Sequence, residues 1–409
     1  MFNPQTPLAR REFIVLVAIL TSLMALATDA MLPAFPQMAA DLGLSEYNHI
    51  QLTISLFMLG AGFGQLFFGP LADFAGRRVA ILSGIVVFII GSLVSMFSTS
   101  FEMMIFGRII MGVGVAGPRT GSIALVRDQF SGREMAQVMS FVMMVFILVP
   151  AAAPALGQVV LLVSGWRAIF GVIIAVALIA FFWMALRQPE TNPVETREKF
   201  SWRGLLRSSM IVLSNKQTMI FSMAAACTFG GFIAFLGTAQ QVFVDIFKVG
   251  EAFPAYFAVL ALAVGLASLV NTKIVVHLGM RRIAKTAFIA VSVFSSTYVA
   301  LLIIFPATET LFAFMVWGML VFFATGLLLG NINALAMEPM GKTAGVAAAL
   351  IGAISTAMAV AVGIPIGQMF NDSILPIVAG FALLSSIGFL LMLLAGPAQP
   401  DPLPRQKHL

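Results

Sequence analysis

Residues 69–78 of the chain read Gly69-Pro-Leu-Ala-Asp73-Phe-Ala-Gly76-Arg77-Arg78. An apolar run of about 20 residues lies on each side of this segment, and each is long enough to cross a bilayer as a helix. The glycines permit a tight turn with close backbone approach. Asp73 can face a helix N-terminus or a basic group, and the arginine pair suits the headgroup region. The stretch predicts a charged loop between two membrane helices.

The composition of the whole chain agrees with this prediction. Of its 409 residues, 60% are hydrophobic and 10% are charged, whereas a soluble domain carries about 25% charged residues. A soluble surface cannot be built from this composition, and disorder requires more charge and less hydrophobicity. Runs such as Ile81–Val94 lack the alternation of a membrane β-barrel. The chain is therefore expected to be an all-α membrane protein.

Apolar runs recur along the chain and predict twelve transmembrane helices. The predicted spans cover residues 12–38, 49–72, 78–98, 102–126, 135–162, 168–187, 217–244, 252–276, 283–305, 310–337, 343–369 and 374–396. An even number of spans puts both termini on the same side of the membrane.

The distribution of Lys and Arg predicts which side that is, because these residues concentrate in cytoplasmic loops. Of the 23 Lys and Arg, Arg167 and Lys248 fall on the side opposite the termini, and Arg108 and Arg119 fall inside a span. The others, including Arg405 and Lys407, fall on the side of the termini. Both termini are therefore expected in the cytoplasm of a bacterial cell, with the chain in the inner membrane.

One charged, proline-containing linker divides the chain. It covers residues 188–216 and separates an N-terminal six-helix bundle, 1–187, from a C-terminal one, 217–409. Its second part, 201–213, suits either a short interfacial helix or plain coil. Gly157-Gln158 recurs as Gly367-Gln368, and other pairs recur at nearly the same offset. Two related halves suit a transporter that binds its substrate between them.

Two further segments have unusual composition for membrane helices. The fourth span carries Arg108 and Arg119 among small residues such as Gly112. The fifth span contains Pro150, Pro154 and Gly157. Prolines and small residues at such spacing let membrane helices kink and pack closely.

These segments together carry a family resemblance. The 69–78 loop looks like the signature loop of the major facilitator superfamily, and the fourth span is similar to that family's helix-4 motif. The fifth span resembles the helix-5 signature of its antiporter branch, with Ala153 in place of the leading Gly. Thr28-Asp29 and Gly165-Trp166-Arg167 resemble the drug–proton antiporter group that includes bicyclomycin and chloramphenicol exporters.

The resemblance implies a fold and a role for the loop. It implies two pseudo-symmetric six-helix bundles, a monomer, and a conformational latch on the cytoplasmic side. The latch residues it implies are Gly69, Asp73, Gly76, Arg77, Arg78 and Asp128.

Charged residues inside the membrane are the strongest candidates for a functional site. A charge in hydrocarbon costs at least roughly 2.5–3.5 kcal/mol, so Asp29, Arg108 and Arg119 require a reason to be there. At 1.5 Å per residue, Asp29 and Arg108 lie about 13 Å and 9 Å below the outer surface, which predicts that they pair.

Two interpretations of this pair remain open. Asp29 and Arg108 could form the proton-coupling site, with Asp29 exchanging the proton, or they could form a permanent salt bridge that fixes helix packing. Arg119 suits substrate binding or simple positioning equally well, and Asp29 could also contact substrate. In the second half, the predicted substrate-binding residues are Gln240, Gln241, Asn331 and Asn333, which could instead bond across helices.

The sequence predicts a proton-driven exporter of small lipophilic molecules, with no catalytic residues, no metal, no cofactor and no nucleic-acid partner. Its expected partners are the substrate, protons and the lipid bilayer. The main alternative is a proton-coupled carrier of one metabolite, working outward or inward. A receptor, an enzyme or a channel fits less well, because the sequence offers no nucleophile with a nearby base and the two-half design implies alternating access.

Overall fold

The computed structural model describes residues 8–193, 197 and 201–395. These residues form fourteen α-helices joined by short turns and 3-10 segments. The helices are α1 Arg10–Asp29, α2 Phe35–Asp41, α3 Leu52–Ala75, α4 Arg77–Met96, α5 Phe101–Gln129, α6 Gly132–Ser164, α7 Trp166–Arg187, α8 Trp202–Ser214, α9 Lys216–Gln240, α10 Phe253–Leu278, α11 Met280–Ile304, α12 Leu311–Met337, α13 Ala344–Gln368 and α14 Leu375–Leu394.

The predicted twelve-helix architecture is confirmed. Within the described residues, eleven helical segments are long and apolar enough to cross a membrane. The predicted fifth span corresponds to α6, in which Leu148–Ser164 forms a shorter apolar stretch. Residues up to Arg187 are called the N-terminal half below, and those from Lys216 the C-terminal half.

The first span is one broken helix rather than a single straight one. It runs from Arg10 to Asp41 and breaks after Asp29, where α1 ends and the 3-10 segment Leu32–Ala34 begins. Pro33 lies in that segment, and a proline has no N–H to continue the α-helical hydrogen bonds. The break therefore leaves backbone carbonyls near the end of α1 without their usual donors.

Glycines bring α5 close to its neighbours α3 and α4. A Cβ on Gly112 would overlap the carbonyl oxygen of Phe57 in α3, and one on Gly114 would overlap the backbone of Phe88 in α4. Small residues at helix contacts let backbones approach in a membrane, where dispersion contacts between helices replace the hydrophobic effect. The small residues of the fourth span thus fix the position of the helix that carries Arg108 and Arg119.

The linker contains a helix, so the coil interpretation of its second part is wrong. Ser201 caps α8 by accepting a hydrogen bond from the N–H of Gly204 at 3.2 Å. Trp202, Leu206 and Met210 expose apolar side chains along α8, as an interfacial helix would. Linker residues 194–196 and 198–200, and the C-terminal residues 396–409 with Arg405 and Lys407, lie outside the described residues.

The glycine contact of α5 leads to a stability prediction. Ala at a helix interior position is favoured over Gly by about 1 kcal/mol, but a Cβ at 112 must push against the α3 backbone, and overpacking costs about 1–3 kcal/mol. We expect Gly112→Ala to lower the melting temperature of the purified protein in detergent. Gly330→Ala, in α12 with open space around its Cβ, is the matched control and should not lower it. Equal melting temperatures for the two variants would contradict the packing argument.

Candidate functional site

A cavity of about 230 Å³ lies between the two halves of the molecule. The N-terminal half contributes its charged groups, Asp29 of α1 and Arg119 of α5, and the C-terminal half contributes mainly aromatic and aliphatic side chains. Such a cavity, apolar with a few convergent polar groups, is the usual form of a small-molecule site. The side chains from the C-terminal half include Phe229, Phe232, Ile233, Phe235, Leu236, Phe257, Leu260, Phe322, Leu329, Asn333, Ser355 and Thr356.

Asp29 is buried at the broken end of α1 and lines this cavity. Among the described residues, neither an ion pair nor a hydrogen bond engages its carboxyl group. A carboxyl group in an apolar cavity needs a proton or a polar partner, because an unpaired charge there is costly. Asp29 can therefore take up a proton or contact a ligand.

Arg108 has other partners than the predicted one. It is fully buried, and its Nε donates to the carbonyl of Thr53 at 2.9 Å while Nη1 donates to the carbonyl of Ala27 at 3.0 Å. Its guanidinium also lies 4.4 Å from the ring centroid of Phe57. The predicted Asp29–Arg108 ion pair is absent from the described contacts. Arg108 instead holds the end of α1 to α3 and α5, using the carbonyl that the helix break leaves free.

The fifth-span motif of α6 packs against the same break in α1. A Cβ on Gly157 of α6 would overlap the carbonyl of Ala30, the residue after Asp29. Pro150 lines the cavity, and Pro154 lies one turn further along α6. The glycine is therefore required for α6 to pass directly over the end of α1, beside Asp29.

Arg119 projects into the cavity, as one of its two predicted roles requires. Its Nη1 lies 3.3 Å from the sulfur of Met24 in α1. Of the predicted asparagines, Asn333 also lines the cavity, although its amide bonds the carbonyl of Leu329 in its own helix. Asn331 is different, because it donates to Asn271 at 2.7 Å and joins α12 to α10.

The other two residues predicted to bind substrate, Gln240 and Gln241, lie outside the described lining of the cavity. They join the two halves at the end of the bundle opposite the 69–78 loop. Tyr47 donates to Gln240 at 2.6 Å, Gln51 donates to Gln241 at 2.7 Å, and Gln241 donates to Asn48 at 2.8 Å. Apolar periodicity and depth along a helix do not separate a cavity position from a contact between the halves at this end.

Gln368 extends these contacts, since its Nε2 donates to the carbonyl of Asn48 at 2.8 Å. We call Tyr47, Asn48, Gln51, Gln240, Gln241 and Gln368 the amide network, and the end of the bundle where they lie the amide end. The π-helical segment Gln241–Ile246 starts within the network.

The opposite, basic end carries the 69–78 loop, and there the predicted latch residues meet. Nη1 of Arg77 lies 2.6 Å from Asp73 and Nε lies 2.9 Å from Asp128. Gly76 has a φ of +107°, which a side chain would strain. Arg78 donates to the carbonyls of Ala185 and Gln188 near the end of α7.

This cluster also contacts the C-terminal half. A Cβ on Gly345, in the first turn of α13, would lie 3.2 Å from a carboxylate oxygen of Asp73. A Cβ on Gly69 would lie 3.4 Å from Ala349 of the same helix. An acidic side chain at a helix N-terminus is favourable, because the helix dipole is positive there.

Sequence reasoning missed Glu190 in this cluster. Its two carboxylate oxygens accept hydrogen bonds from the backbone N–H groups of Arg77 and Arg78, at 2.9 and 3.1 Å. These groups open α4, whose N-cap Gly76 has no side chain to satisfy them. A helix that begins directly after a glycine needs an acceptor from elsewhere in the chain for its first N–H groups. In the sequence, that requirement was the signal that could have pointed to a residue such as Glu190. Gln65, which is buried and lines the cavity, was missed as well.

Comparison with known proteins agrees with this architecture. Residues 17–364 match the family model described as Major Facilitator Superfamily. The chain is 31% identical over 366 residues to the bicyclomycin resistance protein homolog of Haemophilus influenzae, covering 89% of this chain and 91% of that protein. It is 32% identical over 248 residues to the chloramphenicol resistance protein of Pseudomonas aeruginosa, covering 59% and 57%.

Solved structures of transporters share the fold. A D-xylose–proton symporter superposes with a TM-score of 0.71 at 14% identity, covering 95% of this chain and 97% of that one. A human organic anion transporter gives 0.70 at 17% identity, covering 96% and 100%. At such identity the likeness concerns the fold alone. The family match over most of its length shows that the chain belongs to the major facilitator superfamily, and that it is a membrane transporter rather than an enzyme.

Proposed function

We propose that the chain exchanges protons for small, mostly lipophilic drug-like molecules and exports them by alternating access. The observation that carries this proposal is Asp29, a buried carboxyl group that faces a cavity shared by both halves and has no ion-pair partner among the described residues. The similarity to a bicyclomycin resistance protein homolog and to a chloramphenicol resistance protein supports drugs as the cargo.

The exchange follows from the cost of a bare carboxylate in this cavity. With substrate absent, a proton on Asp29 removes the charge. When a substrate brings a polar group to the carboxylate, the proton is no longer required and can leave. Because either occupant satisfies the same group, proton and substrate compete, and competition at one site is sufficient to couple their movements in opposite directions.

Arg108 serves in this proposal as a positioning residue rather than as the ionic partner of Asp29. It donates to the carbonyl of Ala27, two residues before Asp29. It thereby holds the carboxyl group at the break of α1, next to Gly157.

Alternating access uses the two ends of the bundle. The excess of Lys and Arg supports placing the basic end in the bacterial cytoplasm, which puts the amide network on the outer side of the inner membrane. The network and the Asp73 cluster would then be the contacts that break in turn as the halves rock about the cavity. A monomer contains both gates and the cavity.

Proton transport tests the role of Asp29. In proteoliposomes with an imposed proton gradient and an internal pH-sensitive dye, chloramphenicol and related drugs should drive proton movement in the wild type. We expect Asp29→Asn to abolish that movement, because an amide cannot carry the exchanged proton. Glu251→Gln, which removes an exposed acid near the start of α10, should leave it unchanged. Persistent drug-dependent proton movement in Asp29→Asn would exclude Asp29 as the carrier.

Distances between spin labels test the role of the amide network. Gln241→Leu removes hydrogen bonds to Asn48 and Gln51 and leaves their buried polar groups unpaired, at about 1–3 kcal/mol each. We expect the halves to separate at this end. Spin labels at Glu46→Cys and Asn371→Cys, with Cys227→Ser as background, should report longer distances than in the parent protein.

Gln37→Leu is the matched control for that experiment, because Gln37 is an exposed glutamine of α2 near the same end of the bundle. The labels should report the parent distances in this variant. An unchanged distance distribution in Gln241→Leu would show that the network does not hold the amide end closed.

A further inference from the structure

Arg119 brings more hydrogen-bond donors into the cavity than the protein satisfies. A guanidinium has five N–H donors. Among the described contacts, its partner is the thioether sulfur of Met24 at 3.3 Å, and a thioether is a weak acceptor. A cation that is largely enclosed gains free energy from any acceptor that reaches it. The guanidinium is therefore free to bind an acceptor group of a ligand.

The charges that line the cavity have a definite balance. Among the described lining residues, Asp29 and Arg119 are the charged ones. With Asp29 ionised the lining has no net charge, and with Asp29 protonated it has one positive charge. The lining is therefore never net negative. A cationic ligand would lose its hydration on entering the cavity, and the single carboxylate of Asp29 would have to balance the charges of both that ligand and Arg119.

The two charged groups stand at different depths. Met24, the contact of Arg119, precedes Asp29 by five residues in α1, which corresponds to about 7.5 Å along the helix. Arg119 therefore lies deeper toward the basic end, and Asp29 lies toward the amide end. A ligand can therefore contact Arg119 with one end of its structure while another of its groups reaches Asp29.

The opposite wall of the cavity is aromatic and comes from the C-terminal half. Phe229 and Phe232 of α9 line it and are half-buried, and the buried ring of Phe322 supports Phe232 at a centroid distance of 5.8 Å. Ring faces stack well against an aromatic ligand. The cavity thus combines a donor-rich cation on one side with an apolar aromatic surface on the other.

We propose that this cavity selects neutral and anionic aromatic molecules carrying a strong hydrogen-bond acceptor, such as a carboxylate, nitro, sulfonyl or amide carbonyl group, over lipophilic cations. Arg119 is the residue that recognises the acceptor, and the aromatic wall binds the body of the molecule. This inference rests on the proposed function insofar as it takes the cavity to be the transport site.

Three probes of one shape and different charge test the proposal. They are 4-phenylbutyrate, 4-phenylbutanamide and 4-phenylbutylamine, measured by calorimetric titration against the purified wild type in a non-ionic detergent, without a gradient. We expect the carboxylate and the amide to bind at least about tenfold more tightly than the amine, a difference of about 1.4 kcal/mol. An amine that binds as well as the carboxylate, or no binding by any probe, would overturn the proposal.

Variants of Arg119 identify the residue responsible. Arg119→Gln should weaken carboxylate binding about tenfold or more and reduce the difference between carboxylate and amine, whereas Arg119→Lys should preserve part of that difference through its charge. Gln37→Leu changes an exposed polar side chain of α2 outside the described cavity lining and should preserve the selectivity. Melting curves verify that each variant is folded. If a folded Arg119→Gln variant keeps the selectivity of the wild type, another group recognises the acceptor and the role proposed for Arg119 is wrong.

These outcomes can be separated from failure of the proposed function. Binding order in detergent requires neither proton coupling nor a direction of transport. Selective binding without drug-driven proton movement would support the role of Arg119 and exclude antiport. Proton movement driven as strongly by the amine as by the carboxylate would support antiport and exclude selection by Arg119.

Discussion

Hydrocarbon offers no water to a broken helix, so every backbone group exposed by the break in α1 must find a partner inside the protein. Arg108 provides one such partner by donating to the carbonyl of Ala27, and it ties this end of α1 to α3 by donating to the carbonyl of Thr53 as well. This arrangement buries the guanidinium of Arg108 completely. Its burial is offset because it donates to carbonyls on two helices and lies against the ring of Phe57. With the break stabilised in this way, α6 can cross it at Gly157 and Asp29 can face the cavity.

The two halves contribute differently to the site although they share an architecture. The described charges of the cavity come from α1 and α5, and its aromatic wall comes from α9, α10 and α12. One half therefore supplies the charged groups of the cavity, while the other supplies mainly apolar surface. The buried charges thus lie where glycines bring helices close together, at the contacts of α5 with α3 and α4 and of α6 with the end of α1.

The sequence was most informative about position along the membrane normal. Apolar run length gave the spans, and the Gly, Asp and Arg positions of the 69–78 loop gave a cluster that forms as expected. Rotation about a helix axis and contacts between helices were harder to predict. Arg108 lies beside the end of α1 but bonds to carbonyls rather than to Asp29, and Gln240 and Gln241 bond to the other half rather than line the cavity. Glu190 lies far from its partners in sequence, and an acceptor for the N–H groups of α4 can be located only once the linker is folded.

The contacts at the two ends of the bundle differ in their electrostatics. The basic end is held by formal charges, among them Arg77 with Asp73 and Asp128, whereas the amide network consists of neutral amides and one phenol. Work done by a transmembrane voltage scales with the charge that moves through it. Separating neutral amides moves no formal charge, so opening the amide end does almost no electrical work, and the membrane potential can act on the transport cycle chiefly through the charged groups elsewhere.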